Sequence, residues 1–352
     1  MAKVINPYCL SSFLAFRYLV DPDAEWIPGV KPTYPNVAAQ GQIPVATMAE
    51  IENNLRRIVA ERLTPTTGIL LSGGIDSAIL AAFLPRGTRA YTIKFNAARF
   101  LDESIQARVY AEYLGLRHTI VELNWTDYAA FAPVLMQYKK APLHAIEVAL
   151  HKAALAAKAD GLDTLIVGNG ADSTFGGMDK LLSRDWTLEE FYQRYTFVDP
   201  FRALQHPVDL RSVYQGYVGA DGLLDTQRFL KTVHGIGIIQ SFETAVGSTG
   251  LGLLEPFEQL RYTEPLDLAR IRAGESKYLL QALFRRLYNN MIPPTKIPFA
   301  RPMDIWLADW AGPQRAEFKS GVDWRDFTGD QRWLLYVLEQ FLNLLDTGRI
   351  HG

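Results

Sequence analysis

The sequence has a single cysteine, Cys9, almost no net charge and no long apolar run. One cysteine excludes an intramolecular disulfide and a cysteine-rich zinc site. Because no segment approaches the roughly 18 consecutive apolar residues of a bilayer span, we expect no membrane partner. The N-terminus lacks the cationic and apolar stretches of a signal sequence, which predicts a cytoplasmic protein. A formal charge of −2 gives no general basic surface, so a nucleic-acid partner is disfavoured unless a local patch binds it.

The composition is that of an ordinary globular protein. The 352 residues are 48% apolar, 12% aromatic and 21% charged, which allows one large or two modest domains with a substantial core. Six prolines before residue 46 predict an extended arm over residues 1–45, with one short helix near residues 11–18. We divide residues 46–352 into an α/β part over about 46–180 and a helical part over about 181–352.

Strand-like and helix-like patterns alternate in the α/β part. They predict helices over 48–63, 103–114 and 145–159, and strands over 90–95, 118–123 and 164–167. Such alternation predicts a doubly wound, mostly parallel sheet, in which ligands bind at the carboxyl ends of the strands. In the helical part, the clearest helices are 228–231, 277–289 and 332–345. We expect this part to pack on the sheet.

The most informative segment is residues 68–77, where an apolar strand leads into a serine, two glycines and Asp76 before a helix begins. Glycines let backbone N–H groups close around an anion, and a helix start adds positive potential. The spacing differs from a Walker A loop and from a Gly-x-Gly-x-x-Gly motif. It predicts a nucleotide site in which Asp76 holds magnesium. The ATP-binding candidates are Leu70, Leu71, Ser72, Gly73, Gly74, Ile75, Asp76 and Ser77, with Ile93 on the next strand.

A second loop has a similar pattern. The apolar residues 165–167 lead into Gly168, Gly170 and Asp172, and a further glycine pair follows. Because both loops end strands of one predicted parallel sheet, Asp172 could face Asp76 across the nucleotide and share its magnesium. Gly168 and Gly170 are therefore further ATP-binding candidates, and Asp76 and Asp172 are the predicted metal ligands.

Together the two loops resemble those of the asparagine synthetases and of the related β-lactam and carbapenam synthetases. These are N-type ATP pyrophosphatases, whose PP-loop reads Ser-Gly-Gly-x-Asp-Ser and whose second loop reads Gly-Glu-Gly-Ala-Asp-Glu-Leu-Phe-Gly-Gly. The resemblance covers roughly residues 10–310, with weaker matches at 102–103, 114–118, 255–257, 277–280, 296–299, 302 and 306–307. Residues 13–32 are similar to the connector that follows the glutaminase domain in these enzymes.

The resemblance implies a PP-loop fold that uses ATP and Mg²⁺ and cleaves ATP to AMP and pyrophosphate. A small carboxylic acid would be adenylated and then attacked by a nitrogen nucleophile to give an amide. It also implies that the sequence starts at the connector, without the usual glutaminase domain, and that Cys9 does not replace that domain's nucleophile. Nitrogen would then come from ammonia, from an amine substrate, or from a separate glutaminase or biosynthetic partner. A homo-oligomer is compatible with this interpretation.

Two lysines gain a role from the resemblance. Lys296 corresponds to the lysine that contacts the α-phosphate and the amide-forming intermediate, and Lys277 to a second lysine nearer the pyrophosphate. For an isolated lysine, a solvated surface position is the default, and that alternative stays open for both.

The sequence also departs from the family pattern. Gly252 stands where the family has a glutamate, which leaves Glu255 and Glu243 as catalytic candidates that would assist deprotonation of an amine, or as structural carboxylates. In the second loop, Asn169 and Ser173 replace two glutamates and alter the wall that faces the acceptor. These differences argue against plain aspartate amidation and favour a specialised substrate.

Two other functions stay open at this point. One is a PP-loop enzyme that adenylates a nucleic-acid base for thiolation or amination, although such chemistry often uses paired cysteines. The other is a noncatalytic nucleotide-binding subunit of a partner enzyme, which two facing carboxylates argue against. His144 and His151 are seven residues apart on one predicted helix face, where they would either meet a ligand together or simply pack.

Overall fold

The computed structural model describes residues 4–34, 41–98, 102–294 and 301–351. Within these residues, the strands form one five-stranded and one two-stranded sheet. The strands are β1 (Ile43–Val45), β2 (Thr67–Leu70), β3 (Arg89–Phe95), β4 (Arg117–Leu123), β5 (Thr164–Ile166), β6 (Gly252–Leu254) and β7 (Leu260–Tyr262).

The large sheet has the strand order β4-β3-β2-β5-β6, and all four of its strand pairings are parallel. β2 and β5 are neighbours, with Gly68 opposite Leu165 and Ile69 opposite Ile166. Their carboxyl ends therefore lie at the same edge of the sheet, and the two glycine-rich loops follow side by side. This topology confirms the predicted parallel α/β sheet. The small sheet pairs β1 with β7, also in parallel.

The described α-helices range from one to five turns. They are α1 (Pro7–Phe16), α2 (Met48–Arg62), α3 (Ile75–Ala81), α4 (Ser104–Leu114), α5 (Trp125–Lys139), α6 (Ala145–Ala159), α7 (Ala171–Thr174), α8 (Asp179–Leu182), α9 (Leu188–Tyr195), α10 (Pro200–Ala203), α11 (Arg211–Gln215), α12 (Thr226–Phe229), α13 (Gly235–Gly247), α14 (Leu268–Arg272), α15 (Tyr278–Leu287), α16 (Met303–Trp306) and α17 (Gly329–Asp346). A π-helical turn, Leu230–His234, joins α12 to α13. Among the described residues, no helix combines the length and apolarity that a membrane span requires.

Helices cover both faces of the large sheet, as a doubly wound fold requires. Ile69 and Ile166 belong to a hydrophobic cluster with α2, α3, α4 and α15. Leu70 and Leu165 point to the other face, into a cluster with α1, α5, α6 and α17. From the second half of the chain, α13 contacts both α6 and β6. The helical part therefore packs on the sheet, as predicted.

Most predicted elements of the α/β part lie within one residue of the observed bounds, including α2, α6 and β3. The segment predicted as helix 228–231 belongs to a longer helical stretch, residues 226–247, whose hydrophobic pattern is interrupted by the π-helical turn. The helix predicted near residues 11–18 begins earlier, at Pro7, because the Asn6 side chain accepts a hydrogen bond from the Tyr8 amide and proline suits the first helical position.

The proline-rich N-terminal segment contributes to the core. Residues 9–16 of α1 are all buried, and the Trp26 ring lies 4.8 Å from the ring of Phe341 on α17. α1 ends where Arg17 adopts a left-handed conformation, with φ of 70°, while its amide donates to the Phe13 carbonyl. This turn fixes the direction in which the Arg17 side chain leaves the helix.

Candidate active site

The first glycine-rich loop joins β2 to α3 and is held by its own serines. The Ser72 amide donates to the Ser77 hydroxyl over 3.0 Å, and the two hydroxyl groups are 2.9 Å apart. The Gly74 amide donates to the Ser72 hydroxyl over 3.2 Å. Ser77, in the first turn of α3, thus closes the loop into a compact curve of backbone N–H groups. Such a curve is suited to an oxyanion.

The second loop follows β5 and packs directly against the first. A Cβ atom on Gly168 would lie 2.8 Å from the Ser77 nitrogen, closer than real Cβ contacts, and 3.1 Å from the Asp76 carbonyl carbon, tighter than most of them. Glycine is therefore required at 168 for the two loops to meet. The contact brings Asp76, at the start of α3, and Asp172, on α7, to the same edge of the sheet.

A cavity of about 320 Å³ opens at this edge. Most of the residues predicted to bind ATP line it, namely Leu70, Leu71, Ser72, Asp76, Ser77, Ile93, Gly168 and Gly170. Asp172 lines it too, whereas Gly73, Gly74 and Ile75 lie in the loop without forming its wall. The two glycine-rich loops that the sequence singles out therefore form the base of the cavity.

Lys277 is buried and connects the two aspartates. Its Nζ lies 2.5 Å from Asp76 Oδ2 and 2.8 Å from Asp172 Oδ1. Burial alone would lower the pKa of Lys277, but the two carboxylates outweigh it and raise the pKa above its usual value. Lys277 also has a φ of 50°, a left-handed conformation that is costly for lysine. Its position at the N-terminus of α15 thus holds the ammonium against both carboxylates.

The same two carboxylates suit a magnesium ion. Both reach one point, since a single ammonium contacts both, and carboxylate oxygens are the ligands that Mg²⁺ prefers. Among the described residues, no group of three or more His, Cys, Asp or Glu residues could enclose a metal. This donor set fits Mg²⁺, which usually takes one or two carboxylates and completes its coordination with water and substrate phosphates.

Glu255 and Glu243 lie beside the cavity rather than in its wall. Glu255 accepts a hydrogen bond from Asn169 Nδ2 over 2.5 Å, and Asn169 does line the cavity. Burial raises the pKa of Glu255 to about 8, and burial also raises the pKa of Glu243. The two catalytic candidates Glu243 and Glu255 are therefore neighbours, at the base of the second loop.

Gly252, which stands where the family has a glutamate, begins β6 opposite Thr164 of β5. It therefore lies at the amino end of its strand, three residues before Glu255, and at the end of the sheet away from both loops. Gly252 itself does not line the cavity.

Several wall residues were not recognised from the sequence. Glu103, before α4, and Glu258 both line the cavity, and burial raises the pKa of each carboxyl group to about 7. Ile146, Leu150, Ile238 and Phe242 form an apolar wall from α6 and α13. In the sequence, Glu103 was marked only by the weak match at 102–103. The four apolar residues were marked only by the apolar faces of two helices, which fit ordinary core packing equally well.

The two histidines of the predicted helix separate in the structure. His144 caps α6 and lines the cavity. His151, two turns later, places its Nδ1 atom 2.8 Å from the Ser248 hydroxyl and packs against α13. They do not form a joint ligand site. Lys296, the other lysine predicted to be catalytic, lies outside the described residues.

Comparison with known proteins agrees with the loops. The asparagine synthase family model matches residues 50–234. The chain is 29% identical over 130 residues to amidase chry2 of Gibberella zeae, a match that covers 32% of this chain and 19% of that protein. It thus spans about a fifth of the length of this curated relative.

Two solved structures are similar over a larger share of the chain. U34-tRNA thiolase NcsA from Methanococcus maripaludis, with its 4Fe–4S cluster, is 13% identical, with a TM-score of 0.32; the match covers 84% of this chain and 80% of that chain. NMN synthetase from Francisella tularensis is 15% identical, with a TM-score of 0.26, covering 72% of this chain and 97% of that chain.

Proposed function

Because the chain belongs to the asparagine synthase family, we propose that it is an AMP-forming amide ligase acting on a small carboxylic acid. Family membership supports an ATP-using ligase or transferase. The observation that carries the narrower proposal is the meeting of two strand-end carboxylates, Asp76 and Asp172, on one buried lysine beside a cavity lined by the phosphate loop.

In the first step, one oxygen of the acid attacks the α-phosphorus of ATP, and the bond to pyrophosphate breaks. The loop over residues 72–74 would hold the leaving pyrophosphate through its N–H groups. Asp76 and Asp172 would hold Mg²⁺, which neutralises charge on the phosphate oxygens. Lys277, whose ammonium contacts both carboxylates, would stabilise the negative charge that develops on the leaving pyrophosphate. Lys296 keeps the role that the family resemblance gives it, an ammonium at the α-phosphate.

In the second step, ammonia or an amine attacks the acyl carbon, AMP leaves, and the nitrogen gives up a proton. Glu103 and Glu258 are the carboxyl groups in the wall whose pKa of about 7 suits a proton acceptor near neutral pH. Glu255 reaches the cavity only through Asn169, so it acts as a positioning residue for that amide. The nitrogen donor would be ammonia, an amine, or ammonia delivered by a separate glutaminase or biosynthetic partner.

The apolar wall of Ile146, Leu150, Ile238 and Phe242 favours an acid with a hydrocarbon part over one that is polar throughout. Similarity to a protein named as an amidase agrees with chemistry at an amide bond. The apolar wall and the replacement of two loop glutamates by Asn169 and Ser173 together support a substrate other than aspartate and a role in specialised biosynthesis.

The direct test is release of pyrophosphate from ATP and Mg²⁺ across a panel of carboxylic acids, with and without ammonia. The proposal expects release that depends on one class of acid and yields AMP. Formation of ADP and phosphate with the active acid would contradict it. Release that requires an RNA and no carboxylic acid would replace it with nucleic-acid base adenylation.

A further inference from the structure

The five-stranded sheet ends on one side at β4, and this edge is long and regular. Among the described residues β4 pairs only with β3, and the register runs without a bulge from Arg117, opposite Arg89, to Leu123, opposite Phe95. No proline interrupts the strand. Native proteins usually shield such an edge with a bulge, a proline or a covering element, because its free backbone groups can pair with another chain. The β4 edge is therefore suited to a further strand.

The outward backbone groups belong to every second residue of β4. The Arg117 amide donates to the Thr88 carbonyl, which precedes β3. In a parallel pairing the bonded residues alternate, so the odd-numbered residues of β4 face β3 and residues 118, 120 and 122 face away from it. Within the described ranges, the outward N–H groups have no protein acceptor, and only the Glu122 carbonyl has a donor, Lys152 Nζ at 2.8 Å. A carbonyl oxygen has two lone pairs, so this one can accept a second hydrogen bond.

α4 covers this edge on one face of the sheet and exposes apolar side chains. It contacts both β3 and β4. Ile105, Val109 and Tyr113 follow one another at four-residue intervals and are 69%, 42% and 48% exposed. Residues four apart lie on one face of a helix, so these three form an apolar stripe on the solvent side of α4. An apolar stripe beside an open strand edge is typical of a protein–protein interface.

A two-fold axis at Ile120 would pair β4 with a second copy of itself and use every outward group. In this antiparallel register, Ile120 lies opposite its own copy and His118 lies opposite Glu122 of the second copy, and each such pair exchanges two backbone hydrogen bonds. On both sides of the axis an imidazole then meets a carboxylate, which gives a hydrogen-bonding cross-strand pair. His118 Nε2 lies 2.7 Å from the Thr92 hydroxyl, which leaves Nδ1 for this contact. The strand is thus complementary to itself.

The same axis would bring the two α4 helices together. Because α4 lies over β3 and β4 and strands are about 4.8 Å apart, the two copies of α4 would run about 10 Å apart, a distance at which helices pack. The Gly87 amide donates to the Gly115 carbonyl, so the end of α4 lies level with residue 87. Since α4 rises about 1.5 Å per residue and a strand about 3.3 Å, Ile105 lies near the height of Ile120. The most exposed apolar side chain of α4 would therefore meet its own copy at the axis.

We propose that β4 and α4 form the interface of a two-fold homodimer, in which antiparallel β4 strands join the two five-stranded sheets and the apolar stripes of the α4 helices cover each other. A second copy of this chain is the occupant because the strand register, the polar pairs and Ile105 all match about one axis. His118, Ile120, Glu122 and the three stripe residues do not line the active-site cavity, so the dimer does not depend on the proposed chemistry.

The mass of the protein in solution is the first test. Interfaces of standard size have dissociation constants in the micromolar range or below, so light scattering after size exclusion at about 100 μM should give a dimer. The expected mass is twice the 39.6 kDa of one chain. A monomer at this concentration would overturn the proposal and leave the edge to a different partner.

Variants at the strand and at the helix locate the interface. Ile120→Pro removes an outward N–H group and leaves the bonds to β3 in place, since proline is tolerated where the N–H group faces away from the sheet. Ile105→Glu places two carboxylates together at the axis. Each should raise the dissociation constant of the dimer at least about tenfold. Val134→Glu is the matched control, because Val134 is also an exposed β-branched residue, 55% exposed on α5, outside the proposed interface.

A dimer that persists in both Ile120→Pro and Ile105→Glu, or that is weakened equally by Val134→Glu, would contradict the assignment. If Ile120→Pro does not fold, as judged by circular dichroism, Ile105→Glu decides, because the Ile105 side chain is largely exposed and its replacement leaves the core unchanged.

Ile120→Cys tests the register. The Cα atoms of a hydrogen-bonded antiparallel pair lie about 5.5 Å apart, within the range of a disulfide. Oxidation with copper phenanthroline should therefore link two chains of Ile120→Cys. It should not link Thr119→Cys, whose side chain points to the other face of the sheet and lies opposite Val121 of the second copy. The native Cys9 is buried, which keeps the background low. Equal yields of linked dimer from the two variants would overturn the proposal.

Discussion

Because Lys277 pairs with two aspartates, we predict that the stability of a variant without this lysine depends on magnesium. In Lys277→Met, a side chain of similar length replaces the ammonium that lies 2.5 Å from Asp76 and 2.8 Å from Asp172. The variant brings two neighbouring carboxylates together with one cation fewer. Their mutual repulsion should destabilise the fold, and a divalent cation should relieve it.

The magnitude follows from burial and chain length. Removing one partner of a buried ion pair costs about 3–5 kcal/mol, but Asp76 is 20% and Asp172 41% exposed, so solvent screening reduces this to about 2–3 kcal/mol. An unfolding entropy of about 2.1 cal/mol/K per residue gives about 0.7 kcal/mol/K for the 352 residues. The Tm of Lys277→Met should therefore fall by about 3–4 °C without magnesium.

Added Mg²⁺ should reverse part of this loss. For a dissociation constant of about 1 mM, about 10 mM Mg²⁺ stabilises the variant by about 1.4 kcal/mol, or about 2 °C. In the unmodified protein the ion must displace the Lys277 ammonium, so the shift should be smaller. Differential scanning calorimetry with EDTA and with Mg²⁺ measures both effects.

Lys152→Met is the matched control, because Lys152 Nζ lies 2.7 Å from Asp127 and neither residue lines the cavity beside the phosphate loop. It should lose stability without gaining a response to magnesium. If Lys277→Met melts at the normal temperature, or if Mg²⁺ shifts both proteins equally, the ammonium does not hold the two carboxylates together.

Three further predictions follow from the site. Asp76→Asn and Asp172→Asn should each reduce turnover about a hundredfold or more with an unchanged circular dichroism spectrum, and near-normal activity at saturating Mg²⁺ would exclude that carboxylate as a ligand. Gly168→Ala places a methyl group 2.8 Å from a backbone nitrogen of the phosphate loop, so ATP affinity measured by calorimetry should fall about tenfold or more, and an unchanged affinity would mean that the loops need not touch. The pKa of Glu255 is about 8 in the folded protein against 4.5 in the unfolded chain, so its contribution to stability is present below pH 4.5 and is lost as pH rises to about 8. Glu255→Gln should therefore raise Tm relative to the unmodified protein at pH 9 and not at pH 4, and equal differences at both pH values would refute the burial of its charge.

The parallel sheet and the two loops could be predicted because their signals are local. Apolar strand residues such as 68–71 and 165–167 run directly into glycines and a carboxylate, and alternation with helices dictates parallel pairing. From that topology alone, Asp76 and Asp172 were placed on one edge of the sheet. The structure adds the register of β2 against β5, which makes the loops touch at Gly168.

The rest of the site depends on contacts between distant segments, for which the sequence carries no periodic signal. Arg17 follows an N-terminal helix and meets His144, which is 127 residues away. Lys277 reaches Asp76 across 201 residues through a left-handed backbone conformation that no residue pattern announces. Phe242 lies on a helix whose apolar face equally suits core packing. In each case the tertiary fold, rather than local composition, sets the position of the side chain.

The central claim is that an acid oxygen attacks the α-phosphate and that nitrogen then displaces AMP. Turnover of an acid labelled with ¹⁸O in its carboxylate tests it most directly, once the active acid is known. The two-step mechanism transfers one labelled oxygen to AMP and leaves one in the amide. AMP without label, or label found in inorganic phosphate together with ADP, would contradict it.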